Sequence, residues 1–300
     1  MDNLRGAALM VLSMLGFAIE DTFIKLMAGA LPVGQLLVML GCCGGAVFYL
    51  AVKAQGDRIL VPELLTIPIL LRAIGEFIGT LGFVSAIMLT PISTASAILQ
   101  VTPLVVTLGA ALFLGETVGW RRWAAILVGL FGVLLIIRPG MDSFEPLSVL
   151  ALIGVFGLAM RDLATRRVPA STSTMQLSCI GFLAIVPGGA GLMAVTGTPY
   201  VMPDVQTWIY FTSALCIGLL AYYAIVAAMR VGDISYVTPF RYTRLLFALI
   251  AGMIVFRERP DALMLVGAAI IVGSGIYTVW RERKVAQRAA ASLSKPAPSR

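Results

Sequence analysis

Apolar residues run along the chain in long blocks, and short polar connections separate them. A helix needs about 20 predominantly apolar residues to cross a bilayer. Ten blocks meet that length, at roughly 4–27, 31–52, 66–89, 92–114, 121–138, 147–166, 173–196, 207–229, 234–256 and 262–280. Most connections are rich in Pro, Gly or charge, as at Gly56-Asp57-Arg58, Thr90-Pro91, Arg138-Pro139-Gly140 and Gly197-Thr198-Pro199. No room remains for a soluble domain. The expected fold class is an all-α membrane protein with ten transmembrane helices.

Composition agrees. Of 300 residues, 59% are hydrophobic and 12% charged, where a soluble domain carries about 25% charged residues. The net charge of +7 raises the possibility of a nucleic-acid partner, but the lysines and arginines are scattered between apolar runs and form no basic stripe. Positive-inside bias explains them better. With the N-terminus inside, fourteen Lys and Arg fall on the inner side and four on the outer. Both termini are therefore expected in the cytoplasm, with the chain multi-pass in the inner membrane. Residues 281–300 are basic, then rich in Ala, Ser and Pro, and are expected to be a disordered cytoplasmic tail that touches lipid.

The absence of histidine removes Ser-His-Asp and Cys-His catalysis and any histidine metal site. Cys42, Cys43, Cys179 and Cys216 lie inside apolar runs without C-x-x-C spacing, so they read as small hydrophobes. The first apolar run is too long for a signal core and holds Glu20 and Asp21, so no cleavable signal is evident. No P-loop or metal-ligand cluster is present. The chain is read as a non-enzyme with no cofactor and no bound metal.

The sequence carries an echo of itself. Ile92 to Glu116 and Ile234 to Glu258 both begin Ile-Ser, stay apolar over a similar span and end on glutamate, at a shift of 142. In the first and sixth spans, Gly16, Ala18, Asp21 and Lys25 fall opposite Gly157, Ala159, Asp162 and Arg166, at a shift of 141. Two distant alignments thus need nearly the same shift. Five spans per half is an odd number, so the second half enters the membrane upside down. Inverted repeats are a construction of secondary transporters, with the site near the midplane between the repeats.

These features resemble the drug/metabolite transporter superfamily, in its ten-helix EamA-type branch. The resemblance covers about residues 4–280. It rests on the endings Gly115-Glu116 and Arg257-Glu258, each followed by a Gly-rich span (Gly129, Gly132; Gly267, Gly273). The Gly-x-Ala-x-x-Asp-x-x-x-Lys pattern of the first span adds to it, as do Ser85-Ala86 and Ala227-Ala228. The resemblance implies a first repeat over 1–140, a second, inverted one over 141–280, and inward and outward openings in alternation. It implies a cavity lined mainly by the first, third, fourth, sixth, eighth and ninth spans. Members move amino acids, vitamins, nucleotides and other small metabolites, some inward and some outward.

Charged residues inside the spans are the candidate chemistry, because intramembrane charge is costly and functional by default. Arg72 and Glu76 are four apart in the third span and share a face. Either they neutralise each other to ease insertion, or Glu76 takes a coupling proton or substrate amine while Arg72 holds it poised. Arg241 and Arg244 are three apart in the ninth span. They are expected to bind the anionic end of a metabolite, since a guanidinium grips carboxylate or phosphate with two prongs; the alternative is structural pairing with Glu76 or Glu20. Tyr222, Tyr223 and Tyr242 are candidates for stacking on a planar substrate part, against plain packing or interface anchoring. Gln100 is the main amide of the fourth span, just before Thr102-Pro103, where proline frees a backbone carbonyl; Pro239 does the same in the ninth. Glu20 and Asp21, with Lys25, and Arg161 and Asp162, with Arg166, sit at opposite mouths. They read as reciprocal gates or as simple end anchors. The Gly75-x-x-x-Gly79 face reads as close helix packing.

The leading expectation is a secondary transporter of a small polar metabolite, by proton coupling or exchange. A site with four acids and four bases suits a zwitterion such as an amino acid, or a planar vitamin such as riboflavin. A passive channel and a membrane-embedded enzyme are the alternatives. The partners expected are a small-molecule substrate, the lipid bilayer and a proton, and no nucleic acid.

Overall fold

The computed structural model of the chain describes residues 2–56, 66–115, 119–139, 141, 145–169, 171–231 and 234–293. Asp57 and Arg58 of the second connection, Glu116 of the Gly-Glu ending, Gly140, and the tail from residue 294 lie outside the described residues.

The elements are helices α1 (Asp2–Leu26), α2 (Val33–Ala54), α3 (Ile67–Leu89), α4 (Ile92–Leu99), α5 (Thr102–Phe113) and α6 (Trp120–Ile137) in the first half. The second half holds α7 (Val149–Thr165), α8 (Thr174–Thr196), α9 (Val205–Val231), α10 (Ile234–Val237), a 3-10 turn at Thr238–Tyr242, α11 (Thr243–Val255) and α12 (Ala262–Leu293). Nine helical stretches among the described residues are long and apolar enough to cross a membrane. Residues 120–137, the 18 of α6, make the tenth span, about 27 Å at 1.5 Å per residue.

Two spans are broken, and both breaks carry proline. Pro103 has no N–H to give the carbonyl of Leu99, and the Thr102 hydroxyl donates to that carbonyl instead, at 2.6 Å. Pro239 starts the 3-10 turn of the ninth span, and the Thr243 hydroxyl donates to Phe240 O at 2.7 Å. Gln100 ends α4 and Tyr242 precedes α11; the shift of 142 superposes these two positions.

The halves meet as inverted partners. Helix α1 packs on α9, α2 on α8, α3 on α7, α4 on α11 and α6 on α12. Each pairing maps onto itself or onto another pairing when the halves are exchanged, as a two-fold axis in the membrane plane requires. The contacts run antiparallel. Along α3, Gly75, Gly79 and Gly82 face successively earlier residues of α7: Arg161, then Leu158, then Gly154. A β-carbon at any of the three would overlap the α7 backbone or Leu158, so the expected Gly75/Gly79 packing face is the one α7 uses. Gly132 and Gly267 bring α6 and α12 together in the same way.

Helix α12 corrects the expectation for the tail. It continues to Leu293, so residues 281–293 are helical rather than disordered. The stretch RERKVAQRAAASL is rich in Arg, Lys, Glu, Gln and Ala, all strong helix formers, and an apolar span already nucleates the helix that it extends.

Candidate functional site

Six charged side chains in the interior gather into two groups. Asp21 on α1 is 2% exposed and faces Arg244 on α11. Arg244 Nη2 donates to both carboxylate oxygens at 2.9 and 2.8 Å, and Nε donates at 3.1 Å. The guanidinium also lies between two rings, 5.1 Å from the centroid of Phe17 and 5.2 Å from that of Phe83. A planar, delocalised cation stacks in this manner where a lysine would not.

The second group joins α3 to α7. Arg161 Nη1 donates to Glu76 Oε1 at 3.1 Å, and its Nε to Asp162 Oδ1 at 2.9 Å. Arg72 Nη2 lies 3.7 Å from Glu76 Oε2, and its Nη1 donates to the Leu177 carbonyl of α8 at 2.7 Å. Gly181 on α8 leaves the room: a β-carbon there would crowd Arg72 Nη1 and the Glu76 carboxylate at 3.2–3.3 Å. Nearby, Ser178 and Tyr222 share a hydrogen bond of 2.8 Å.

Two interior charges stand apart from these bridges. Arg241, in the 3-10 turn, has Asp162, Arg161 and Arg244 as its charged neighbours, yet makes no hydrogen bond or ion pair among the described residues. Glu20 neighbours Asp21 and Arg244 and rests against Gly218 of α9, likewise without a hydrogen bond or ion pair among the described residues. Gln100 is 7% exposed, and its Nε2 has no hydrogen-bond partner among the described residues; nor has the Ser96 hydroxyl one turn earlier on α4.

The residues expected to bind and those expected to gate therefore do not form separate sets. Asp21 holds Arg244, and Arg161 holds Glu76. Of the tyrosines, Tyr242 is 4% exposed with its ring against Gly275, whereas Tyr223 is 72% exposed on the outside of the bundle. The reason is helical phase: Tyr222 and Tyr223 are adjacent and point about 100° apart.

The face of the bundle opposite the chain termini is tied across the two halves. Glu258 accepts the Ile92 N–H at 2.7 Å and the Ser93 N–H at 3.1 Å, and the Ser93 hydroxyl donates to it as well. These amides open α4 and have no partner within their own helix, so a carboxylate is their natural cap. Lys25 Nζ lies 4.0 Å from the same carboxylate and donates to Ile87 O at 3.2 Å and to Thr90 O. Gln35 and Val201 exchange two hydrogen bonds, at 2.6 and 2.8 Å, and Arg138 pairs with Asp261. Arg257 precedes Glu258 in a left-handed conformation, φ 54°, and Gly115 takes φ 69° at the corresponding position of the first half. That turn returns the Glu258 N–H to Gly252 O at 2.9 Å and aims the carboxylate at α4. Sequence reasoning used Glu258 only as a mark of the repeat and of the family. Its Ile-Ser counterpart, repeated at both segment starts, was the available signal. Among the described residues, no cluster of three His, Cys, Asp or Glu has the arrangement of a metal site.

An inverted-repeat helical bundle with charge inside and one tied face is a build that membrane transporters use. The model of the EamA-like transporter family matches residues 4–138 and again 147–280, and the chain belongs to that family. It is 34% identical over 196 residues to a riboflavin transporter of Vibrio cholerae; the match covers 65% of each chain, just under two thirds of the relative's length. An S-adenosylmethionine uptake transporter of Rickettsia bellii is 26% identical over 72% of this chain and 73% of its own. The pseudopaline exporter CntI of Pseudomonas aeruginosa is 26% identical over 89% of this chain and 93% of its own. A crystal structure superposes with a TM-score of 0.57 at 22% identity, covering 89% of this chain and 97% of the other, which speaks to the fold alone. The chain is a multi-pass membrane protein of the EamA-like transporter family.

Proposed function

We propose that the chain is an alternating-access carrier for a small metabolite with an anionic group, and that Arg241 receives that group. One observation carries the reading. Arg72, Arg161 and Arg244 each hold an interior carboxylate, while Arg241 holds none among the described residues. An unpaired guanidinium at this depth costs several kcal/mol unless an anion reaches it. A carboxylate or phosphate fits it in a fork. The names of the relatives point to riboflavin and S-adenosylmethionine as first ligands to try; S-adenosylmethionine carries a carboxylate for Arg241, whereas riboflavin is uncharged at neutral pH and serves as the comparison.

Positive-inside bias puts both termini in the cytoplasm, so the tied face would be the outer one and the conformation closed to the outside. A carrier needs such a closed face and a pore does not. Coupling to a proton or to exchange belongs to the same reading. The test is ligand-dependent thermal unfolding of the purified protein with riboflavin, S-adenosylmethionine, amino acids and nucleotides. At a hundred times Kd, a ligand that binds the folded state adds about 2.7 kcal/mol. The expected result is stabilisation of the wild type by at least one anionic ligand and none of Arg241→Gln. Equal stabilisation of both proteins would overturn the assignment.

A further inference from the structure

Glu20 is the one interior carboxylate that the network leaves without a hydrogen bond or ion pair among the described residues. Its neighbour Asp21 takes three hydrogen bonds from Arg244, and Glu76 is flanked by Arg72 and Arg161. The surroundings of Glu20 are set by each helix that packs on α1. Helix α9 offers Gly218, where a β-carbon would overlap the carboxylate, so the glycine reserves its place. Helix α11 offers Arg244, already engaged by Asp21. The 3-10 turn offers Arg241, which also neighbours Arg244. Tyr236 on α10 packs with Phe240, near Met10 and Met14. The charges of α3, Arg72 and Glu76, are held in the other group, and α4 brings no charged side chain. On α1 itself, Lys25 turns to Glu258.

We propose that Glu20 binds and releases the coupling proton, and that its charge sets the affinity of Arg241 for the substrate anion. The inference rests on the carrier reading above. The two unpaired interior charges both neighbour Arg244 of the Asp21–Arg244 bridge. The bridge cancels, and so does the Arg72–Glu76–Arg161–Asp162 group. With Glu20 as carboxylate, the interior is neutral and an anion gains little by entering. When the carboxylate takes a proton from water at the open mouth, giving the neutral acid, the interior carries one net positive charge and holds an anion at Arg241. The anion and the proton then favour each other's binding by the same factor, as linkage requires. Release of both at the other mouth restores the neutral interior. The result is symport of one proton with one anion. Glu76, the sequence-based candidate for the proton, is already committed to two guanidinium groups and is not the coupling site.

Infrared difference spectra of the purified protein, recorded as pH is stepped, test the proton site without any ligand. The wild type should show a protonated-carboxyl band that titrates, and Glu20→Gln should lack it. Glu20→Asp keeps a carboxyl and guards against a folding defect; it should retain the band at a shifted frequency. A band that survives in Glu20→Gln and disappears in Glu76→Gln overturns the proposal. In liposomes, uptake of riboflavin and S-adenosylmethionine is then measured against an imposed pH gradient. Apparent affinity for S-adenosylmethionine, which offers a carboxylate, should rise on acidification by up to about tenfold per pH unit, the limit for one linked proton, and lose that slope in Glu20→Gln. Wild-type uptake with the same slope in Glu20→Gln refutes the coupling while leaving the carrier reading intact. Uptake of neither compound by any variant, with the infrared band behaving as described, counts against the carrier reading instead.

Discussion

Glu258 accepts the Ile92 N–H at 2.7 Å although 166 residues separate them, so the end of one repeat caps a helix of the other. The bond spans the interface that must open if the two halves rock. Substituting Glu258 by Ala should expose the Ile92 and Ser93 amides, and hydrogen exchange at both should quicken about tenfold or more, as expected where local opening becomes 1–3 kcal/mol easier. Mass-spectrometric exchange of the 88–99 segment reads this directly. Exchange at the wild-type rate would mean the carboxylate is not what holds this face.

Asp21 and Arg244 should behave as a single unit. Removing one partner leaves a buried charge alone, which costs about 3–5 kcal/mol; removing both costs less than the two losses together. The measurement is a double-mutant cycle of Asp21→Ala and Arg244→Ala, followed by thermal unfolding in detergent. Arg244→Lys should recover little, because the ring stacking on Phe17 and Phe83 needs a planar cation. Additive losses, or full rescue by lysine, would contradict the geometry.

The α3–α7 seam should not tolerate a methyl group. A β-carbon on Gly157 would overlap the backbone of Gly79, which cannot swing aside as a flexible side chain can. Gly157→Ala is expected to lower stability by about 1–3 kcal/mol, as overpacking does. Gly191, which has open space, should accept alanine without loss. Thermal unfolding of the two variants side by side makes the comparison, and equal melting points would contradict the packing.

Arg138 holds the Asp261 carboxyl below the usual carboxylate range through a direct hydrogen bond, at the edge of the bundle. A depressed folded-state pKa adds stability above the unfolded value, near 4 for Asp, and that stability is lost as pH falls through the folded value. Wild type should therefore lose more stability than Asp261→Asn between about pH 4 and pH 2. Asp261 is half open to solvent, so the difference should be small and should shrink with salt. Matched acid titrations of melting temperature check it, and parallel curves would contradict it.

The spans were legible because bilayer thickness fixes the length of an apolar block whatever its order of residues. The duplication was legible because the shift of 142 aligns Ile92-Ser93 with Ile234-Ser235 and Glu116 with Glu258. Helix rotation was not. A span that is apolar on every side gives no polar face from which to read its phase, so Tyr223 looked as good a candidate as Tyr222 until the structure turned it outward. The pairing of charges was equally hidden. Asp21 and Arg244 are 223 residues apart, and four acids with four bases allow many arrangements. Leaving Arg241 and Glu20 over was a matter of three-dimensional distance alone. The end of α12 was misread for a different reason: Ser and Pro near residue 300 coloured the reading of Ala-rich, charged residues that simply continue the helix.

Counterflow in liposomes tests the carrier most directly. Vesicles are loaded with an excess of the unlabelled ligand identified by thermal stabilisation, and entry of the labelled compound is followed for wild type and Arg241→Gln. A saturating flux accelerated by the internal ligand, and abolished by the substitution, is the predicted result. Flux that rises linearly with concentration and ignores the internal ligand, or that keeps its apparent affinity in Arg241→Gln, would contradict the account.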